Sequence, residues 1–295
     1  MFNIDFHCHP DMKPYGRSFG KNIGKNSTNP KDDNSVWHAD LPNVKDKMLH
    51  SLAGLVKFTQ ADMTTLLEGN VHVICASLYP IERNFFNNAL GEAIVADLTS
   101  NLATGVGNAR INDVQCCTDY FSDLNRIYNY YRELDGKEIS TVYGPAKYKL
   151  VKNYGDIKPA LADPVQWQKT IFVVLSIEGM HVLNSNLTLK QPEDATIMAN
   201  LNALKKWPHP PLFVTLAHHF FNFLCGQAKS LEGSVGKVAD QSNGLNDGIT
   251  PLGYKVIREL LNPKTGRRIY IDIKHMSAKS RREYMLFLSD NFPGE

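Results

Sequence analysis

The chain has 295 residues, 43% of them hydrophobic and 21% charged. That composition supplies a sizeable core, and the length suits a single α/β barrel domain over residues 1–295. A formal net charge of +2 with no basic run points away from nucleic acid and from anionic membrane as partners.

No stretch reaches the ~20 apolar residues that cross a bilayer. The opening "MFNIDFHCHP" has neither the basic n-region nor the apolar h-region of a signal peptide. A cytoplasmic location is therefore expected, with Cys8, Cys75, Cys116, Cys117 and Cys225 as reduced thiols and not a disulfide framework.

The first predicted strand, "FNIDF" (2–6), runs directly into Asp5, His7 and His9. Residues 10–50, rich in Gly, Asn, Lys and Pro, read as a long loop. Thr59-Gln60-Ala61-Asp62 has capping-box spacing ahead of "MTTLLEG", with Gly69 as the stop. "VHVICASLY" (71–79) is the second strand. Residues 99–169 read as a large insertion that holds one helix, "DYFSDLNRIYNYYREL".

The third strand, "TIFVVLSI" (170–177), ends in Glu178 and His181, and the fourth, "PLFVTLA" (211–217), ends in His218 and His219. A Gly-, Ser- and Asn-rich loop over 226–250 leads to "TPLGYKVIRELLNP". There Thr250 is the expected N-cap and Pro251 the first helical residue. Leu252, Val256, Ile257, Leu260 and Leu261 share one face, and Pro263 ends the helix. The fifth strand, "RIYIDIK" (268–274), contains Asp272 and Lys274 and leads to His275. A last helix is expected at about 279–289, with Tyr284, Met285, Phe287 and Leu288 as core contacts.

Each of the five runs is short, β-branched or aromatic, and nearly continuously apolar, as strands covered on both faces are. Alternation with helices predicts an α/β fold with a parallel sheet and right-handed crossovers. In such folds ligand sites gather at the carboxyl ends of strands, and His7, His9, His181, His218, His219 and His275 all lie there.

Neutral imidazoles with a carboxylate suit Zn²⁺ and similar ions. A His-x-His pair can turn both rings to one ion, because strand residues two apart face one side. Plainer roles are open to several of these residues. Glu178 can start a helix, His181 can be structural, and Asp272 can cap a neighbour. Adjacent His218 and His219 are expected to diverge, so that only one faces a site. Carboxylate and histidine at four strand ends together favour a site.

The wording of these segments resembles the membrane (renal) dipeptidase family of zinc metallopeptidases. "LSIEGMH" is similar to its V-E-G-G-H motif, and "VTLAHHFFN" to its T-L-T-H segment. "GITPLGYKVIRELL" followed by "IYIDIKHMS" is similar to its L-(T/S)-P-x-G helix and I-D-L-(S/A)-H-(V/M)-S strand, and "FTQADMTTLLEGNVHVICASLYP" to its first helix and second strand.

The resemblance implies a TIM-type (β/α)₈ barrel with two zinc ions, in which hydroxide generated at the centre cleaves a dipeptide. It implies His7, His9, Glu178 and His275 as metal ligands, with Glu178 as the catalytic bridging carboxylate and His218 as a substrate-binding residue. His9 stands where the family has Asp, and Met180 where it has a second Gly.

With about five strands legible, the barrel is expected to be C-terminally incomplete. Nothing here corresponds to the family's remaining histidine ligand, carboxylate-binding arginine and catalytic aspartate. The chain alone is then expected to be weak or inactive, with a homo-oligomer or a complementing chain as its partner besides a small-molecule or dipeptide substrate. Two other readings stay open: another hydrolase of the amidohydrolase superfamily, acting on a cyclic amide or ester, and a non-catalytic barrel fragment that binds metal or a partner.

Overall fold

Strands and helices alternate along the chain in the computed structural model, which describes residues 2–40, 44, 47, 61–86, 105–188, 190–231 and 239–292. The fold is α/β with a mostly parallel, mixed sheet. The chain forms two compact units. One comprises Met1–Tyr79, Leu90–Cys116 and Leu124–Leu175, the other Pro80–Ala89, Cys117–Asp123 and Ser176–Glu295.

In the first unit β1 (Asn3–Cys8) precedes α1 (Met12–Ser18) and α2 (Met63–Glu68), and pairs in parallel with β2 (Val71–Leu78). Asp62 caps α2 by accepting from the Thr65 N–H at 2.8 Å. The cap thus falls on the last residue of the expected box; Thr59 and Gln60 lie outside the described residues. Gly69 ends the helix with φ −72°, and the left-handed turn is made by Asn70 with φ 55°, a residue type that tolerates it.

The stretch 105–169, expected to be part of a large insertion with one helix, is more regular than that. It holds α3 (Asn108–Gln115), α4 (Tyr120–Arg132), β3 (Ile139–Thr141), β4 (Gly144–Val151), α5 (Tyr154–Leu161) and α6 (Pro164–Trp167). β3 and β4 form an antiparallel pair, and β4 lies parallel to β5 (Thr170–Glu178) through Lys147↔Thr170 to Val151↔Val174.

Seven strands therefore stand among the described residues where five were expected. The two extra strands lack the continuous apolar run of the other five. In β4, Ala146, Tyr148 and Leu150 are buried while Lys147 and Lys149 alternate with them, the pattern of a strand covered mainly on one face. Val151, Ile157 and Phe172 pack together with Val73 and Trp167 around them. The expected loop after β1 is also built in: Val36 and Trp37 are fully buried, and the Tyr131 hydroxyl donates to Asp11 at 3.0 Å.

The second unit takes the end of β5 and adds α7 (Asp194–Lys205), β6 (Phe213–Thr215), α8 (Pro251–Leu261), β7 (Tyr270–Asp272) and α9 (Ala278–Asn291). β6 lies parallel to β5 and to β7. α8 begins where its sequence dictates: the Thr250 hydroxyl accepts from the Gly253 N–H at 2.9 Å and Pro251 opens the helix. Leu252, Val256, Ile257, Leu260 and Leu261 are all buried, and α8 packs on α7 and β7. On α9, Tyr284 and Phe287 are buried as expected, but Met285 is 51% exposed, because it falls on the outer side of the 3.6-residue repeat. No helix among the described residues is long and apolar enough to cross a membrane.

Candidate metal centre

Register places the chemistry of the second unit. Glu178 pairs with Thr215 and Thr215 with Asp272, so the ends of β5, β6 and β7 are level. His218 and His275 each follow three residues beyond those level positions. The chain therefore brings Glu178, His218 and His275 together by parallel pairing, although they are far apart in sequence.

Glu178 Oε1 lies 3.3 Å from His275 Nε2 and 3.7 Å from His218 Nε2. One ligand atom from each of the three residues lies within 4.8 Å of the other two. Ligands about 2.1 Å from a tetrahedral ion lie about 3.4 Å from one another, so the two measured separations suit a shared ion. Glu178 and His218 are buried and His275 is half-buried, which limits competition from water. Two imidazole nitrogens and a carboxylate oxygen are a donor set that could hold a divalent metal ion.

The backbone accommodates this at two points. His275 has φ 65°, a left-handed conformation that an L-residue adopts at a cost and that concentrates at functional sites. Gly179 has φ 88°, and a Cβ there would lie 2.5 Å from His181 Nδ1 and 2.9 Å from His218 Cβ. The glycine of "EGMH" is thus required by the close approach of two histidines. Met180, the next residue, is fully buried.

Behind His218 lies Glu82, which the sequence motifs did not single out. Its Oε2 is 2.6 Å from His218 Nδ1, and its Oε1 accepts from the Phe220 N–H at 3.4 Å. The Glu82 side chain is fully buried. Burial pushes its carboxyl up, but His218 and His181 beside it and the His218 hydrogen bond outweigh that and hold it down at about 2. A signal for it exists in the sequence: Glu82 follows the end of β2 by four positions, in the same kind of place beyond a strand as the histidines.

His181 is structural in its contacts: its Nε2 meets the Pro80 carbonyl at 2.7 Å and Tyr120 packs on its ring edge. Burial lowers its pKa. His218 and His219 do not diverge; their ring centroids are 4.0 Å apart, and both rings lie within 5 Å of His275. The expected divergence assumes a strand, but β6 ends at Thr215. His219 Nδ1 faces the Ser230 hydroxyl at 2.7 Å, and burial, with His218 adding to it, pushes its pKa down to about 3. Lys274 Nζ sits 3.2 Å from Glu178 Oε1, and Asp272 accepts from the Lys274 backbone N–H at 2.9 Å.

In the first unit, the His7 and His9 rings lie edge to face with centroids 5.0 Å apart. His9 Nδ1 is 2.8 Å from the Ser77 carbonyl. That carbonyl only accepts, so Nδ1 carries the hydrogen in this contact and Nε2 keeps its lone pair. The His7 backbone N–H donates to Asp5 Oδ1 at 2.9 Å.

No protein-family model matches the chain, and no curated protein matches it.

Proposed function

We propose that this chain is a metal-dependent hydrolase of the dipeptidase type. The observation that carries the reading is the Glu178–His218–His275 cluster, whose ligand atoms lie within 4.8 Å of one another at the ends of parallel strands. The chain's own residues have distinct tasks. His218 and His275 offer Nε2 atoms and Glu178 offers Oε1. Lys274 holds a positive charge beside that carboxylate. A divalent ion bound there would polarise a substrate carbonyl and lower the pKa of water to about 7.

The family resemblance adds zinc as the metal, with two ions in that family, and in the first unit His7 and His9 as metal ligands. It also brings the (β/α)₈ barrel, which the parallel pairings β1–β2, β4–β5, β5–β6 and β6–β7 support. The buried thiols of Cys8, Cys75 and Cys225 agree with a reducing, cytoplasmic setting.

The test is direct. Metal-stripped chain is titrated with Zn²⁺ and then assayed on dipeptides, cyclic amides and phosphodiesters. The reading expects stoichiometric binding, and dipeptide cleavage, weak in the chain alone, that both chelation and Glu178→Gln abolish. Cleavage confined to cyclic amides or esters would favour the broader amidohydrolase superfamily. Absence of Zn²⁺ binding would sink the hydrolase reading. One observation favours a metal-binding protein without turnover: the Lys274 ammonium is already paired with Glu178 at 3.2 Å. Tight binding with no cleavage of any substrate would decide for it.

A further inference from the structure

Glu82 is a fully buried carboxylate, and burying a charge is costly unless it is paired and hydrogen-bonded. Its surroundings show where that cost is offset. The Pro80 carbonyl, 2.7 Å from His181 Nε2, can only accept, so a neutral His181 carries its hydrogen on Nε2 and offers none to Glu82 from Nδ1, 4.0 Å away. The Phe220 N–H reaches the other carboxylate oxygen at 3.4 Å. The short contact is the one to His218 Nδ1, at 2.6 Å. A carboxylate there accepts, which puts the hydrogen on Nδ1 and leaves the Nε2 lone pair aimed at Glu178 and His275.

Given the metal-binding reading above, on which this rests, we propose that Glu82 is a positioning residue that makes His218 a metal ligand. It fixes the ring's tautomer and orientation and raises the basicity of Nε2. His218 is then the third protein ligand of the centre and not a substrate contact. A carboxylate behind a ligating imidazole acts in this way at metal sites, and its loss weakens metal binding by about 10–100-fold.

The experiment uses the full chain and Co²⁺, whose visible absorption reports ligation. Dissociation constants are measured for the wild type, Glu82→Gln and His218→Ala, with the melting temperature of each metal-free protein. Multiple-bond ¹⁵N–¹H spectra of the metal-free wild type give the His218 tautomer. We expect the Nδ1–H tautomer in the wild type. We expect a Co²⁺ dissociation constant about 10–100-fold higher in Glu82→Gln, with a melting temperature that falls but stays above that of the titration, and a still greater loss in His218→Ala.

Wild-type binding that Glu82→Gln leaves intact would overturn the role of Glu82 while the centre stands. Failure of the wild type to bind Co²⁺ would overturn both. Should Glu82→Gln not fold, the wild-type tautomer decides, and an Nε2–H His218 would refute the proposal.

Discussion

His275 carries the sharpest residue-scale tension in the chain. Its φ of 65° costs an L-residue about 1–2 kcal/mol, yet it puts Nε2 3.3 Å from Glu178. Glycine adopts that conformation freely but loses more entropy on folding. His275→Gly is therefore expected to change metal-free stability by about 1 kcal/mol or less while reducing metal binding. Urea unfolding beside a Co²⁺ titration checks it, and a large loss of stability would mean the histidine serves the fold. The thiols divide as sharply. Burial raises the pKa of Cys8 and Cys225, and pushes that of Cys75 up to about 11, whereas Cys116 is exposed. Aromatic disulfide reagents should label Cys116 first and reach the three buried thiols only on unfolding. Mass mapping of the fast-labelled site decides.

At the scale of elements, α8 is the clearest case of sequence-specified structure, from its Thr250 cap to its apolar face. Thr250→Ala should cost about 1 kcal/mol in chemical denaturation. The other end of α8 depends on a residue of another helix. Lys205, on α7, is fully buried at its side chain. Its Nζ donates to the Asn262 carbonyl at 2.7 Å, to Thr265 Oγ1 at 2.8 Å and to the Glu259 carbonyl. Lys205→Met leaves those carbonyls and the Glu259 carboxylate without a buried cation, and about 3 kcal/mol of destabilisation is expected. A loss below about 0.5 kcal/mol would place this lysine among ordinary surface pairs. Nothing local to "NALKKW" distinguishes Lys205 from Lys206; only packing of α7 on α8 does.

Across the whole molecule, alkaline pH is a condition that tests the buried tyrosines of the fold. Burial raises the pKa of Tyr130, Tyr131 and Tyr148 well above the ordinary value of 10. The sign is fixed by where the proton sits. Above pH 10 the unfolded chain ionises these phenols and the folded chain does not, so stability is complete below 10 and lost as pH rises beyond it. The melting temperature should fall from about pH 10 upward, and tyrosinate absorbance from these residues should appear together with unfolding. Ionisation of all tyrosines with the fold intact would contradict their burial.

The sequence by itself determined the five apolar strands, the helix 251–261 with its cap, and the presence of histidine and glutamate at strand ends. These are local consequences of hydrophobic period, cap chemistry and residue type, and β5, α4 and α8 occur where those signals place them. It did not determine β4, whose alternating lysines disguise a strand that acquires meaning only beside β5. Nor did it determine which polar ends meet. Glu178, His218 and His275 converge because β5, β6 and β7 pair in parallel with level ends. Glu82 reaches His218 from 136 residues away. Strand register and long-range side-chain packing decide such distances, and neither is written in any one segment.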